Sequence, residues 1–290
     1  MKGEKKVKPN AEILEGAVDM HFHAMPDFHP RIADELAILQ DAKQYGMRAL
    51  VSKSHYCLNA DRVSLISSLV DGIDCFGGVV LNPTVGGLNP SAVEAAIRYG
   101  GKEIWMPSFY TTAHLINFPA FKGAVTDSSE GISLLKEGKL ASEMHEILDL
   151  ISKADVILGT SHCSEEEIFV LVPEAIKHGV KKIIITHPYC PVPNLSIEKQ
   201  AALTDMGAYL ELCLYSAMPI SGRVTIAGFV ETIRAVGAKR VVLATDFGQP
   251  FHPMPAEGMR IFCNNLLAAG IEKSDIQIMI KDNPAYLLGI

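Results

Sequence analysis

A chain of 290 residues with 48% hydrophobic and 20% charged content carries enough apolar surface to bury a large core, which excludes a disordered protein. Its formal net charge of −7 offers no basic field for nucleic acid or for an anionic membrane surface. The basic start Met1–Lys8 is followed by no apolar run of signal-peptide length, and no stretch reaches about 18 uninterrupted apolar residues, so the sequence reads as soluble and cytoplasmic.

The predicted elements alternate. Ala17-Val18-Asp19-Met20-His21-Phe22-His23-Ala24 opens as a strand, and Ile32 to Tyr45 has apolar residues at helical spacing with Gly46 as its C-cap. Met47–His55 is a second strand, 61–71 a helix, Cys75–Leu81 a strand, Ser91–Tyr99 a helix and Glu103–Pro107 a fourth strand. From Ser108 to Lys139 the pattern loosens around Gly123, Gly131 and Gly138, with a small hairpin expected over Gly131–Leu140. Ordered loops this long are often functional, so 108–140 is read as an insertion over a site. Regularity returns with helices 142–153, 165–178, 196–206 and 225–236, which precede strands Val156–His162, Lys182–His187, Ala208–Cys213 and Arg240–Asp246.

Eight apolar strands, each followed by a helix, fit a single closed (β/α)₈ TIM-like barrel over residues 1–290, with 1–12 as an N-terminal extension. A doubly wound sheet is the alternative, but no glycine-rich phosphate turn follows strand one. Six cysteines (Cys57, Cys75, Cys163, Cys190, Cys213, Cys263) without CxxC spacing are read as reduced core residues.

The chemistry gathers at strand ends, where such a barrel keeps its catalytic groups. Alternate residues of a strand share a face, so Asp19, His21 and His23 project together, and His-x-His supplies half of a metal site. Asp19 is placed to hold a ring N–H behind a ligand. Lys53 and His55 end strand two, His162 strand five, His187 strand six and Asp246 strand eight. Each has an ordinary structural explanation alone, as a helix cap or turn residue; their convergence on one mouth favours a metal site. Glu211 lies mid-strand, where burial demands a partner such as a histidine or Lys53. His29, His114 and His252 read as loop residues near the same mouth. His252, within the proline-stiffened Phe247–Pro255 segment, is assigned with Lys53 and His55 to the substrate.

Asp19-Met20-His21-Phe22-His23, His162, His187 and Asp246, with the tail Asp282-Asn283-Pro284-Ala285-Tyr286-Leu287-Leu288-Gly289, resemble the amidohydrolase superfamily of metal-dependent hydrolases. The resemblance implies that His21, His23 and His162 bind a divalent ion and that Asp246 is a further ligand and proton acceptor. His187 would complete a second metal site or polarise the substrate. It implies one or two ions, zinc first, with manganese or iron as alternatives. Strand four lacks the bridging lysine or glutamate that binuclear members often carry, which favours a mononuclear site. Lys53 stays open as a carbamate ligand, an anion clamp or a surface lysine, and His55 as a substrate donor or second-metal ligand.

The reading is a metal-dependent hydrolase whose activated water attacks an amide-like C–N, ester or phosphoester bond of a small molecule, with Asp246 and His187 catalytic. The alternative is a lyase acting on a small carboxylic acid, and a third is a barrel that only binds. A small-molecule substrate is expected, no nucleic acid or membrane; a homo-oligomer is compatible with such a fold, though no feature selects a dimer.

Overall fold

The computed structural model describes residues 11–118 and 131–290. Residues 1–10 of the expected extension and 119–130 of the expected insertion, Gly123 among them, lie outside the described residues. Strand β1 (Val18–Phe22) is followed by α1 (Glu35–Gln44), whose N-cap Asp34 accepts the Ala37 N–H at 2.8 Å. Next come β2 (Ala49–Ser52), α2 (Ala60–Ser67), β3 (Asp74–Phe76), β4 (Gly78–Val80), α3 (Pro90–Arg98), β5 (Glu103–Trp105) and α4 (Thr112–Asn117). The hairpin β6 (Leu135–Lys136) and β7 (Lys139–Leu140) leads into α5 (Ser142–Ala154) and β8 (Ile157–Gly159). The C-terminal part comprises α6 (Glu165–Lys177), β9 (Ile183–Thr186), α7 (Ile197–Asp205), β10 (Tyr209–Cys213), α8 (Ile226–Val236), β11 (Val241–Ala244), α9 (Pro255–Ala268), α10 (Lys273–Gln277) and α11 (Asn283–Leu288). Several helix starts carry side-chain caps. Ser164 and Glu167 form a reciprocal capping box on α6, and Ser196 and Thr225 cap α7 and α8.

Among the described residues the strands form a parallel sheet β1-β2-β3, a parallel sheet β11-β10-β9-β8-β5-β4 and the small antiparallel hairpin. The single expected strand Cys75–Leu81 is divided between the two large sheets: β3 pairs with β2, and β4 with β5. Glycine permits that change of partner, since a Cβ on Gly78 would stand 1.8 Å from the Glu103 carbonyl oxygen. At the other junction Phe22 bridges Phe247 in parallel, the Asp246 N–H donates to His21 O at 2.8 Å, and the His23 N–H donates to Phe247 O at 2.7 Å. The ladder is not continuous through these junctions. What is formed is an α/β fold of parallel sheets, consistent with a TIM-like barrel.

The core has two layers, as period-two alternation requires. Leu50, Leu158, Ile183, Ile185, Leu210, Leu212 and Leu243 pack in the large cluster shared with the helices. The intervening Val51, Ile157, Ile184, Tyr209, Cys213, Val242 and Ala244 join Val18, Met20 and Trp105 in a smaller cluster fed by both sheets. The strands are shorter than the sequence indicates for a local reason. Ser161, His187 and Asp246, just beyond β8, β9 and β11, have φ of 48°, 32° and 55°, a left-handed backbone that ends the ladder and turns the chain at the site. All six cysteines are free, and no described helix is long and apolar enough to cross a membrane.

Candidate metal centre and its cavity

The register of β1 against β2 slips between Asp19 and Phe22: Asp19 faces Leu50 and Phe22 faces Ser52, so three steps on one strand match two on the other. This bulge re-aims the end of β1. His21 Nε2 and His23 Nε2 stand 3.3 Å apart, and Asp246 Oδ1 lies 3.5 Å from the first and 3.1 Å from the second. A tetrahedral ion with bonds of about 2.0–2.1 Å has ligand–ligand edges of about 3.3–3.4 Å, so the three donors are already at coordination spacing.

Their protonation follows from the neighbours. The remaining nitrogen of His23, Nδ1, donates to the Lys53 carbonyl at 2.8 Å, and that of His21 faces Glu211 Oε2 at 3.0 Å. Both Nε2 atoms are therefore left as lone pairs beside a carboxylate. Burial opposes ionisation of Asp246, but any proton taken up here settles on the histidines around it, His21 first and then His23 and His187, rather than on its carboxyl, which is held well below the usual carboxylate range. Burial and then the Arg31 charge push His23 down to about 4, so it stays a neutral imidazole. Three converging acceptors with no proton between them fit a divalent cation. A second grouping, His21 with Glu211 and Cys213, fits one poorly, because burial holds the Cys213 thiol protonated, well above its ordinary range.

His162 and His187 do not belong to that triad. The His187 ring is 6.0 Å from that of His21 and 5.0 Å from that of His162, centroid to centroid. His162 Nδ1 lies 2.9 Å from His114 Nδ1, and the buried His187 Nδ1 has no hydrogen-bond partner among the described residues. Burial, and then the Lys53 charge, push His187 down to about 3. Asp19 reaches no imidazole. Its carboxylate accepts the Thr245 N–H at 3.0 Å, the Thr245 hydroxyl at 2.6 Å and the His21 backbone N–H at 3.2 Å, which ties β1 to the end of β11. The role expected of Asp19 falls to Glu211.

His21, His23, Lys53, His162, His187 and Asp246 face a cavity of about 640 Å³, large enough for a small organic molecule. Lys53 is 1% exposed, which removes the surface-lysine reading. Its Nζ has no hydrogen-bond partner among the described residues and stands 5.7 Å from the centre of the Trp105 ring. Below it Glu103 is fully buried, with burial and then Glu211 raising its carboxyl well above the usual range. Space for Glu103 is made by Gly159, where a Cβ would come 2.5 Å from Glu103 Oε1 and 2.6 Å from Trp105 Cδ1. His55 lines the cavity, stacked between His23 and Phe109 with ring centroids at 4.6 and 4.0 Å, its Nδ1 2.9 Å from Ser108 Oγ.

His252 is not among the lining residues: it stacks on Phe247 and its Nδ1 bonds to Gln249 Oε1 at 3.0 Å. His114, read as a solvated loop residue, is buried on α4 against His162. Arg31 and Phe109 also line the cavity and carry no sequence signal, being single residues on aperiodic loops. Glu103 escapes a strand-end search because it begins its strand.

Solved structures of similar fold cover almost the whole chain. An amidohydrolase from Pseudomonas aeruginosa aligns at 12% identity and a TM-score of 0.65, over 96% of this chain and 98% of its own. A dihydroxybenzoic acid decarboxylase from Polaromonas, solved with bound manganese and an inhibitor, 2-nitroresorcinol, aligns at 13% identity and 0.61, over 95% and 97%. A lactonase from Listeria monocytogenes aligns at 11% and 0.60, over 95% of each chain. No curated protein sequence matches the chain significantly. At 11–13% identity these likenesses show a shared fold. A profile described as a family of unknown function, DUF6282, matches residues 16–211, more than half of the sequence, and the chain belongs to that family.

Proposed function

We propose that this protein is a divalent-metal-dependent hydrolase that acts on an amide-like C–N, ester or phosphoester bond of a small molecule. The observation that carries the reading is the triad of unprotonated acceptors, His21 Nε2, His23 Nε2 and Asp246 Oδ1, at 3.1–3.5 Å from one another. A divalent ion bound there would lower the pKa of a water towards about 7 and polarise a carbonyl or phosphoryl oxygen. Zinc suits the imidazole and carboxylate donors, with manganese or iron as alternatives. Asp246, ionised and with its side chain 12% exposed to the cavity, takes the proton from the attacking water. Neutral His187 donates a hydrogen bond to the substrate oxygen as charge develops, and Lys53 holds an anionic group beside it. In the same reading the two large sheets make one closed (β/α)₈ barrel with the cavity at the C-terminal ends of its strands, a view supported by the Phe22–Phe247 bridge.

A lyase is the second reading. It is favoured by the buried Lys53 amine, which lines the cavity without a hydrogen-bond partner among the described residues and suits a substrate carboxylate. One experiment addresses both. Tag-free protein is assayed for bound metal, then incubated in ¹⁸O-water with a panel of lactones, aryl esters, amides, phosphoesters and carboxylic acids. About one equivalent of metal and one labelled oxygen per bond cleaved, in the acid product, support the hydrolase. Carbon dioxide release without label in the organic product selects the lyase, and a protein that holds no metal after reconstitution overturns both.

A further inference from the structure

The loop that leaves β1 brings a cation back to the cavity. Arg31 is 9% exposed and lines the same space as the triad. Its Nε and Nη2 both donate to Asp27 Oδ2, at 3.0 and 2.9 Å, while Asp27 Oδ1 accepts the His29 N–H at 2.9 Å. Asp27, its side chain 1% exposed, is a strut for Nε and Nη2, which leaves Nη1 of Arg31 outside this pair. A buried ion pair adds little net stability, so a guanidinium braced along one edge with a donor to spare is a poor structural device. It is a good receptor, because its fork matches a carboxylate and less of its rotamer freedom remains to be lost.

The surroundings narrow the ligand. Among the residues lining the cavity, Asp246 is the carboxylate and it is committed to the triad, whereas Arg31 and Lys53 are cations. Much of the remaining wall is apolar, including Phe109, Phe118, Val192 and Phe251. Such a space takes an organic anion with an apolar body.

We propose that Arg31 determines specificity by binding a substrate carboxylate at the end remote from the reacting bond. This rests on the metal-site reading for where the reacting end lies. The test uses metal-loaded protein and isothermal titration with succinate, glutarate and adipate, each against its monoamide (succinamate, glutaramate, adipamate). Each pair keeps one carboxylate and differs only in the charge of the other end. Wild type is expected to prefer the diacid in at least one pair by about tenfold or more. Asp27→Asn/Arg31→Gln, which leaves no orphaned charge, should lower that preference to within about twofold while metal content stays unchanged, and Arg31→Lys should retain part of it. A preference unchanged in the double variant, or equal binding of both members of every pair by wild type, overturns the proposal. His21→Ala/His23→Ala separates the two readings, because it weakens both members of a pair together and leaves their ratio to report Arg31. A wild type without metal that still prefers the diacid ends the hydrolase reading and keeps the anchor.

Discussion

On the β1–β11 side of the cavity, His21 and His23 have each given one ring nitrogen to a fixed acceptor and turn the other towards Asp246. On the β8–β9 side, His162 meets a third imidazole, and His187 has a ring nitrogen with no hydrogen-bond partner among the described residues. The residue type is the same and the preparation differs. Tautomer and aim are decided in the first pair by Glu211 and the Lys53 carbonyl, so it is organised to receive a cation. The second pair keeps a choice of proton positions, which suits groups that meet a substrate.

The largest effect expected of this contrast is in metal binding. His23→Ala should weaken metal affinity about 100-fold or more, whereas His162→Ala should leave at least about half of the metal in place at micromolar protein. Equal losses in plasma mass spectrometry would break the comparison and point to a site shared by both pairs. The partners come next. Glu211→Gln should cost about 10–100-fold in metal affinity by chelator competition, because the fixed proton on His21 is no longer favoured. His114→Asn should change that affinity less than about threefold.

Acid should strike the second pair through stability. Burial pushes His114 down to about 4 from an ordinary 6.5. Between those values the unfolded chain binds a proton that the folded chain does not, so stability is present above pH 6.5 and is lost as pH falls towards 4. Metal-stripped protein should show a falling Tm over that window, with a shallower slope in His114→Gln; parallel slopes would remove His114 from the account. The smallest effect concerns Ser161, left-handed at φ 48° with a hydroxyl that makes no hydrogen bond. Ser161→Gly should stabilise by about 0.5–1 kcal/mol, a rise in Tm of about 1–2 °C. A lower Tm would mean that the turn is held by something other than its backbone.

Much of this site could be read from strand ends alone. His21, His23, Lys53, His55, His162, His187 and Asp246 all close apolar runs, and all seven line the cavity. What periodicity could not convey was direction. Asp19 shares a pleat with His21 in an ideal strand, but the bulge and the crossing to Thr245 give it a different partner. His252 sits in the expected segment and turns onto Phe247 instead. Arg31 and His114 depend on a loop and a six-residue helix whose path is set by tertiary packing, and Glu103 on Gly159 of the adjacent strand β8. The split of the third strand at Gly77 and Gly78 likewise lies in how closely backbones approach.

The left-handed residues that end β9 and β11 bear on how this protein can change. Glycine would adopt the φ of 32° at His187 and of 55° at Asp246 more readily, so at both positions the stable choice and the reactive choice differ. A laboratory selection for heat resistance alone should drift towards silent variants at these two codons, and one for turnover should refuse them. In the proposed reading, the chain is held below its own ceiling of stability by two residues that line its cavity.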